Sequence, residues 1–515
     1  MSPFLKKTTR LWLTPPLIFT LLVLTAALAR LWPLHVHALW FDEVFSIYYV
    51  QKGFGAIWGA DWLLEPTPPL YYSLLALWTT AFGQAEPVLR FLSLVTSSIA
   101  AGFIYLSGRR LAGEGAGILA ALLWSSLPLS IDYGLEIRAY ALVFLEISVL
   151  TYLFICFIQD ALLQDKKLPA LRAKIAAFFS TGLILSYTHV TGILAFASYC
   201  SIGLAVLWIN RRDLLAPFCI GGFAYCLALT PQIYASAQVM TGNAPTLAWL
   251  VTPGVMDVIA LMRALMVGNM PWGDHSARLI LAIWFCAGVL GLSRLRRKDG
   301  VLVATTLGVS FLGLIIFVAF SRFQAVLLNR TTLWMMIPAL LFLSMGLARF
   351  PRLPFALLSI VLLSANAVAS KTSLDIRADQ RGDWRGIQEV VEHSDPNILI
   401  VTVDGELACE FHYVAPALYA QLRLADLQGK AHFQRTQRVD LFCNQPPMIE
   451  IDKMRDALTS GHDVWIIGRM PYYENGARMR QDVEQMRDVL TKEFVVKKRI
   501  ENYAFIALLF GSRGR

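Results

Sequence analysis

The chain has 515 residues, 56% of them apolar and only 16% charged, with a mean hydropathy of +0.55. A soluble domain carries about 25% charge, so the composition excludes an ordinary soluble protein and reads as a membrane protein. The net charge of +9 does not call for nucleic acid: residues 1–370 hold 25 Lys and Arg against 15 Asp and Glu, and residues 371–515 hold 20 against 21. The excess lies in the apolar part, where positive loops orient membrane proteins.

A spanning helix needs roughly 20 apolar residues. Candidate spans are 13–32, 88–108, 115–133, 139–158, 175–188, 190–209, 213–235, 276–293, 301–320, 332–349 and 354–370. The stretch 69–82 is also apolar but short, and two prolines precede its leucine. If it stays on the outer side, Lys6, Lys7, Arg10, Arg109, Arg110, Lys166, Lys167, Arg172, Lys174, Arg211, Arg212, the Arg294–Lys298 cluster, Arg349 and Arg352 all face the cytoplasm. That arrangement puts 17 of the 25 positive charges inside. If it spans, almost all of those loops move outside, against the positive-inside rule. The expectation is therefore about eleven spans, a cytoplasmic N-terminus, and 69–82 as an interfacial or re-entrant helix. The first run is expected to be a retained helix, because Arg30, Leu31 and Trp32 follow it without a small-residue cleavage site. A long outer loop, 33–87, carries Gly53, Gly55, Ile57, Trp58 and Trp62, which suit a helix at the bilayer surface. A second runs from about 236 to 275.

Beyond residue 370 the charge becomes ordinary. An amphipathic pattern at 383–393, apolar runs at 397–403 and 463–468, a helical pattern around 476–491 and a closing strand at 495–509 predict a small α/β domain on the outer side. The division is 1–370 for the membrane domain and 371–515 for this one. Five cysteines (Cys156, Cys200, Cys219, Cys226 and Cys286) lie in apolar runs and read as small core residues. Cys409 and Cys443 lie in the polar tail, where an oxidising compartment would let them pair.

Charge is costly in hydrocarbon, so ionisable groups at membrane depth are functional candidates. The outer edge collects Asp42, Glu43, Glu65, Arg90, Asp132, Glu136, Arg138, His189, Asp274, His275, Arg322 and Arg330. Asp42 and Glu43 suit general-base work or metal binding, or equally the cap of a surface helix. Glu65 precedes a proline-fixed helix start that carries Tyr71. Asp132, Glu136 and Arg138 lie in one connection between spans. There arginine matches phosphate oxygens in a bidentate fork, or the cluster satisfies itself. Arg330 heads a late span and faces either a phosphate or the interface. His189 sits in a tight outer turn, where a structural role is the commoner one.

The ordered set HALWFDE, PTPPLYYSLLALW, the long run from EPVLRFLSLV to IDYGLEIRAYAL, NRTTLWMMIPALLF and GDWRGIQEVV resembles bacterial members of glycosyltransferase family 39. These are similar to protein O-mannosyltransferases and the lipid A aminoarabinose transferase. The resemblance implies a GT-C fold in the inner (plasma) membrane and an undecaprenyl-phosphate-linked sugar donor. It also implies a periplasmic acceptor: a glycan, a glycolipid such as lipid A or lipopolysaccharide, or a protein. It assigns Asp42 as catalytic base with Glu43 as its partner, and Arg138 and Arg330 to the donor phosphate. Glu65, Tyr71, Asp132, Glu136 and His189 are supporting candidates. No nucleotide-binding loop and no essential cofactor are expected. A divalent cation is a weaker possibility, with Glu65 and His275 as candidate ligands. The other readings are a transporter or flippase of envelope lipids, an oligosaccharide ligase, and a membrane-anchored scaffold. A transporter usually shows broken helices in two corresponding halves, and no such repeat is seen.

Overall fold

The computed structural model describes residues 14–34, 39–63, 65, 67–162, 168–241, 252–295, 299–381, 398–402, 405–414, 416–425, 447–469, 484, 486–501 and 505–512. The helices in chain order are α1 Pro15–Leu31, α2 Phe41–Gln51, α3 Phe54–Ile57, α4 Pro69–Phe82, α5 Glu86–Ala112, α6 Glu114–Ser126, α7 Pro128–Tyr133, α8 Tyr140–Leu162, α9 Leu168–Thr188, α10 Gly192–Asn210, α11 Leu215–Thr241, α12 Val255–Val267 and α13 His275–Ser293. They continue with α14 Gly300–Phe320, α15 Asn329–Leu347 and α16 Arg352–Arg381. Among the described residues, nine helices are long and apolar enough to cross a bilayer.

Two expected spans take another form. The first is the 17-residue α1, at the short end of spanning length. The stretch 115–133 is two helices, α6 and α7, broken where Leu127 is extended (ψ 128°) before Pro128. Proline disfavours a helical residue ahead of it and lacks the N–H that would continue the ladder. The segment 69–82 is α4. At 14 residues it is about 21 Å long, too short to cross. Pro69 starts it, and Gly83, at φ +91°, ends it in a conformation open to glycine. The second expected outer loop contains a further helix, α12.

Close helix contacts are made where small residues meet. A Cβ on Gly108 would lie 2.7 Å from the Gly117 Cα, and one on Gly346 would lie 2.5 Å from the Gly291 carbonyl oxygen. Such backbone approaches are the usual means of helix association in lipid. Among the described residues, basic helix ends meet at one end of the bundle, where Phe355, close after Arg352, packs on Gly115, close after Arg110. There Arg110 pairs with Asp160 at 2.6 Å, Lys174 pairs with the same carboxylate, and Arg349 pairs with Asp299 at 2.8 Å.

Beyond α16 come β1 Leu399–Thr402, α17 Gly405–Val414, α18 Pro416–Gln421, β2 Leu422–Ala425, β3 Met448–Ile449, α19 Ile451–Thr459, β4 Val464–Arg469, β5 Phe494–Glu501 and β6 Phe505–Ser512. They form one six-stranded sheet in the order β3-β2-β1-β4-β6-β5. β3, β2, β1 and β4 run parallel, while β6 is antiparallel to β4 and β5. Alternation splits the core between the two faces. Ile400, Trp465, Ile467 and Ala507 pack with Leu407 and Phe411 of α17 on one face. Val401, Ile466, Leu508 and Phe510 pack with Met454 and Leu458 of α19 on the other. The closing strand expected at 495–509 is instead a hairpin, β5 and β6, because the polar Glu501 and Asn502 interrupt the apolar run. The pattern at 383–393 and most of that around 476–491 fall outside the described residues. Cys409 is held in a disulfide, and the five cysteines of the apolar runs are free thiols. Cys443 lies outside the described residues.

Candidate active site

The site begins at α2. Its first residues, Phe41, Asp42 and Glu43, follow an extended Trp40 whose backbone N–H donates to Glu43 Oε2 at 3.3 Å. This reciprocal cap fixes where the two acids point. Glu43 is fully buried. Its Oε1 accepts from Arg90 Nη1 at 2.7 Å and from the Ile137 backbone N–H at 3.0 Å, and its Oε2 accepts from Arg90 Nη2 at 3.2 Å. Arg90, on the first turns of α5, also donates to Glu86 at 3.0 Å and to the Leu135 carbonyl at 3.2 Å. One buried pair thus ties α2, α5 and the connection between α7 and α8.

Asp42 points the other way. Its side chain keeps 14% exposure, and its Oδ2 lies 3.9 Å from Arg330 Nη2. Arg330, at the head of α15, is stacked over the rings of Trp40 at 5.5 Å and Tyr140 at 6.0 Å. Arg138 comes from the connection before α8. It donates to the Asp42 carbonyl at 3.4 Å, to Ser46 at 3.3 Å, to the Tyr72 hydroxyl at 3.1 Å and to Thr67 at 3.3 Å. Glu65 is buried and accepts from the Thr67 N–H and from the Tyr72 hydroxyl, each at 3.1 Å. Arg138, Tyr72, Glu65 and Thr67 form one network beneath Asp42, and both Arg138 Nη atoms are engaged in it.

The expected residues divide clearly. Asp42, Glu43, Glu65, Arg90, Arg138 and Arg330 come together. Glu136 is buried nearby, with its carbonyl accepting from Ser93, and Tyr71 packs in the apolar cluster that holds α2 against α4. Asp132 is buried in α7. His189 packs on Tyr140, ring centroids 5.6 Å apart. Its burial, with Arg138 and Arg330 nearby, pushes its pKa down to about 3, so the ring is neutral. Asp274 instead caps α13, accepting from the Ser276 and Ala277 N–H groups at 2.6 and 3.3 Å, and His275 contacts Arg278 at 3.0 Å on an exposed turn. Neither joins the cluster. Among the described residues no three His, Cys, Asp or Glu side chains converge as metal ligands.

Sequence reasoning gave no role to Tyr72, Thr67, Ser46, Trp40 or Tyr140. Ser46 carried a signal, standing one helical turn after Asp42 on the same face.

Residues 66–235 match the family model for dolichyl-phosphate-mannose-protein mannosyltransferases. The fold is that of ArnT from Cupriavidus metallidurans. In its crystal structure bound to undecaprenyl phosphate the match has a TM-score of 0.58 at 13% identity, covering 95% of this chain and 97% of that one. The apo crystal structure gives 0.57 at 12%, covering 96% and 97%. No curated protein matches the sequence. The chain is a polytopic helical membrane protein with a GT-C fold and a small C-terminal sheet domain, resembling the mannosyltransferases over residues 66–235.

Proposed function

We propose that this GT-C chain is an inverting glycosyltransferase that moves a sugar from undecaprenyl phosphate to a periplasmic envelope acceptor, with Asp42 as the base. The carrying observation is the contrast among the clustered acids. Glu43, Glu65 and the neighbouring Glu136 are buried, whereas Asp42 keeps a partly exposed carboxylate beside Arg330. The mannosyltransferase match over residues 66–235 and the undecaprenyl phosphate named for ArnT support a lipid-phosphate donor.

In the step proposed, the acceptor hydroxyl oxygen attacks the anomeric carbon while Asp42 takes its proton. The bond from that carbon to the phosphate oxygen breaks on the opposite face, giving inversion. The leaving phosphate gains charge, which Arg330 meets. Arg138 acts from below by holding the start of α2, and Glu43 holds the same turn through Arg90. No metal is needed for this sequence of events. The acceptor is a glycan, a glycolipid such as lipid A, or a protein, entering from the periplasmic side.

The proposal has the protein in the inner membrane with a cytoplasmic N-terminus. The meeting of basic helix ends at one end of the bundle supports that orientation, and the Cys409 disulfide supports an oxidising side for residues 371–515. The test mixes purified protein, radiolabelled undecaprenyl-phosphate sugars and a membrane glycolipid extract. Label transfer by wild type and its loss in Asp42→Asn support both class and base. Equal transfer by both removes Asp42 from the role. No transfer from a folded sample supplied with acceptor moves the reading to a lipid transporter.

A further inference from the structure

The turn between α9 and α10 holds a histidine whose proton is placed by its neighbours. The Thr191 backbone N–H donates to His189 Nδ1 at 3.3 Å, and the Thr191 hydroxyl lies 2.8 Å from the same nitrogen. A backbone N–H only donates, so Nδ1 is the acceptor. In a neutral ring the proton then sits on Nε2. Burial and the two nearby arginine charges keep the ring neutral.

Nε2 hydrogen-bonds to no described residue, and the same is true of the Tyr140 hydroxyl. Both residues are buried, and among the described residues neither atom has a protein acceptor. The two residues belong to one chain of contacts that ends at Asp42. Tyr140 packs on His189 at 5.6 Å and lies under Arg330 at 6.0 Å, and Arg330 reaches Asp42. Three donor-bearing side chains, His189, Tyr140 and Arg330, are thus in succession beside Asp42, and no described acceptor is bonded to Nε2 or to the Tyr140 hydroxyl.

We propose that His189 Nε2–H and the Tyr140 hydroxyl join Arg330 as a three-donor cradle for the phosphate of the lipid-linked donor. This rests on the glycosyltransferase reading above and assigns the phosphate-binding residues within it. A neutral imidazole suits this role because it donates one directed bond without adding a charge that would hold the product phosphate too tightly. Arg138, whose donors are engaged by protein oxygens, serves the cradle by fixing α2.

The test is binding of undecaprenyl phosphate, with undecaprenol as the uncharged control, to the full chain in nanodiscs. Wild type is expected to prefer the phosphate. His189→Leu and Tyr140→Phe are each expected to weaken phosphate binding roughly ten- to a hundredfold, the worth of a hydrogen bond to a charged group. Both are expected to leave undecaprenol binding unchanged. His189→Gln, which offers an N–H at similar reach, is expected to stay within a few-fold of wild type. In wild type, the ¹⁵N signal of His189 Nε2 is expected to move on adding undecaprenyl phosphate. Selective binding by wild type that His189→Leu retains in full, with an unmoved Nε2 signal, overturns the cradle and leaves the functional reading standing. Equal binding of phosphate and alcohol by wild type overturns both.

Discussion

Asp42 and Glu43 are adjacent carboxylates with opposite surroundings, and that difference assigns their work. Glu43 is matched by a bidentate arginine and two backbone N–H groups, while the Asp42 carboxylate keeps some exposure and lies 3.9 Å from Arg330. Removing one member of a buried pair typically costs about 3–5 kcal/mol. Glu86 remains to Arg90, so Glu43→Gln is expected to destabilise the fold by about 3 kcal/mol, read as reversible unfolding in mixed micelles. Asp42→Asn is expected to stay within about 0.5 kcal/mol of wild type while losing label transfer. Equal destabilisation by the two would contradict the division of labour. Arg330→Lys keeps the charge but loses the planar fork and ring stacking. It is expected to lower transfer about tenfold, chiefly through a higher KM for the donor, as a weakened bidentate contact should. The acidic pair was legible in the sequence because two acids beside a span are rare. Which acid is buried was not. Arg90 lies 47 residues from Glu43, and only the packing of α2 on α5 brings them together.

Among the elements, α2 is held from two sides. Arg90 and Arg138 fix it on the membrane side, and α17 of the C-terminal domain covers its other face. The Tyr48 hydroxyl lies 2.7 Å from His412 Nδ1, the two rings stack at 5.7 Å, Tyr413 meets Tyr48 edge-on at 6.0 Å, and Cys409 packs against Phe41. A helix so short draws its order from such packing. His412→Ala is therefore expected to speed amide exchange across residues 41–51 and to lower transfer several-fold. Unchanged exchange there would show that α17 does not hold α2. Burial pushes the His412 pKa down, and the groups facing it are the neutral hydroxyls of Tyr48, Tyr413 and Tyr419. A histidine depressed in the folded state favours its neutral form. The contact is thus fully present above the unfolded value of about 6.5 and weakens as pH falls below it. Exchange at 41–51 is expected to rise on acidification in wild type and to lose that dependence in His412→Gln. The sequence located α4 through its prolines, and for α2 offered only the reading of its acids as the cap of a surface helix. It did not reveal α17 and its partner face, because four residues, Phe41, Tyr48, Cys409 and His412, are joined across more than 360 positions.

At the scale of the whole molecule, two independent features point to one orientation. Among the described residues, the basic helix ends at Arg110, Lys174 and Arg349 share an end of the bundle, and a disulfide sits in the C-terminal domain. The spans were legible because hydrocarbon admits little else than long apolar helices. The sheet was only partly legible, since its parallel strands β1 and β4 are buried on both faces and carry no alternating polar signal, and its edge strand β3 has two residues. A cytosolic domain would keep its thiols reduced, so the disulfide is a separate check on the orientation that the charge rule gives. Alkylation of denatured, unreduced protein is expected to label five thiols, Cys156, Cys200, Cys219, Cys226 and Cys286, with two more released by reductant from a Cys409–Cys443 bridge. Alkaline phosphatase fused after residue 515 is expected to be active, and the same enzyme fused after Arg212 inactive. Seven labelled thiols together with an inactive C-terminal fusion would turn the domain to the cytoplasm. The acceptor would then have to be met there, because α17 binds α2 directly and Asp42 cannot lie on the far side of the bilayer from the domain that covers it.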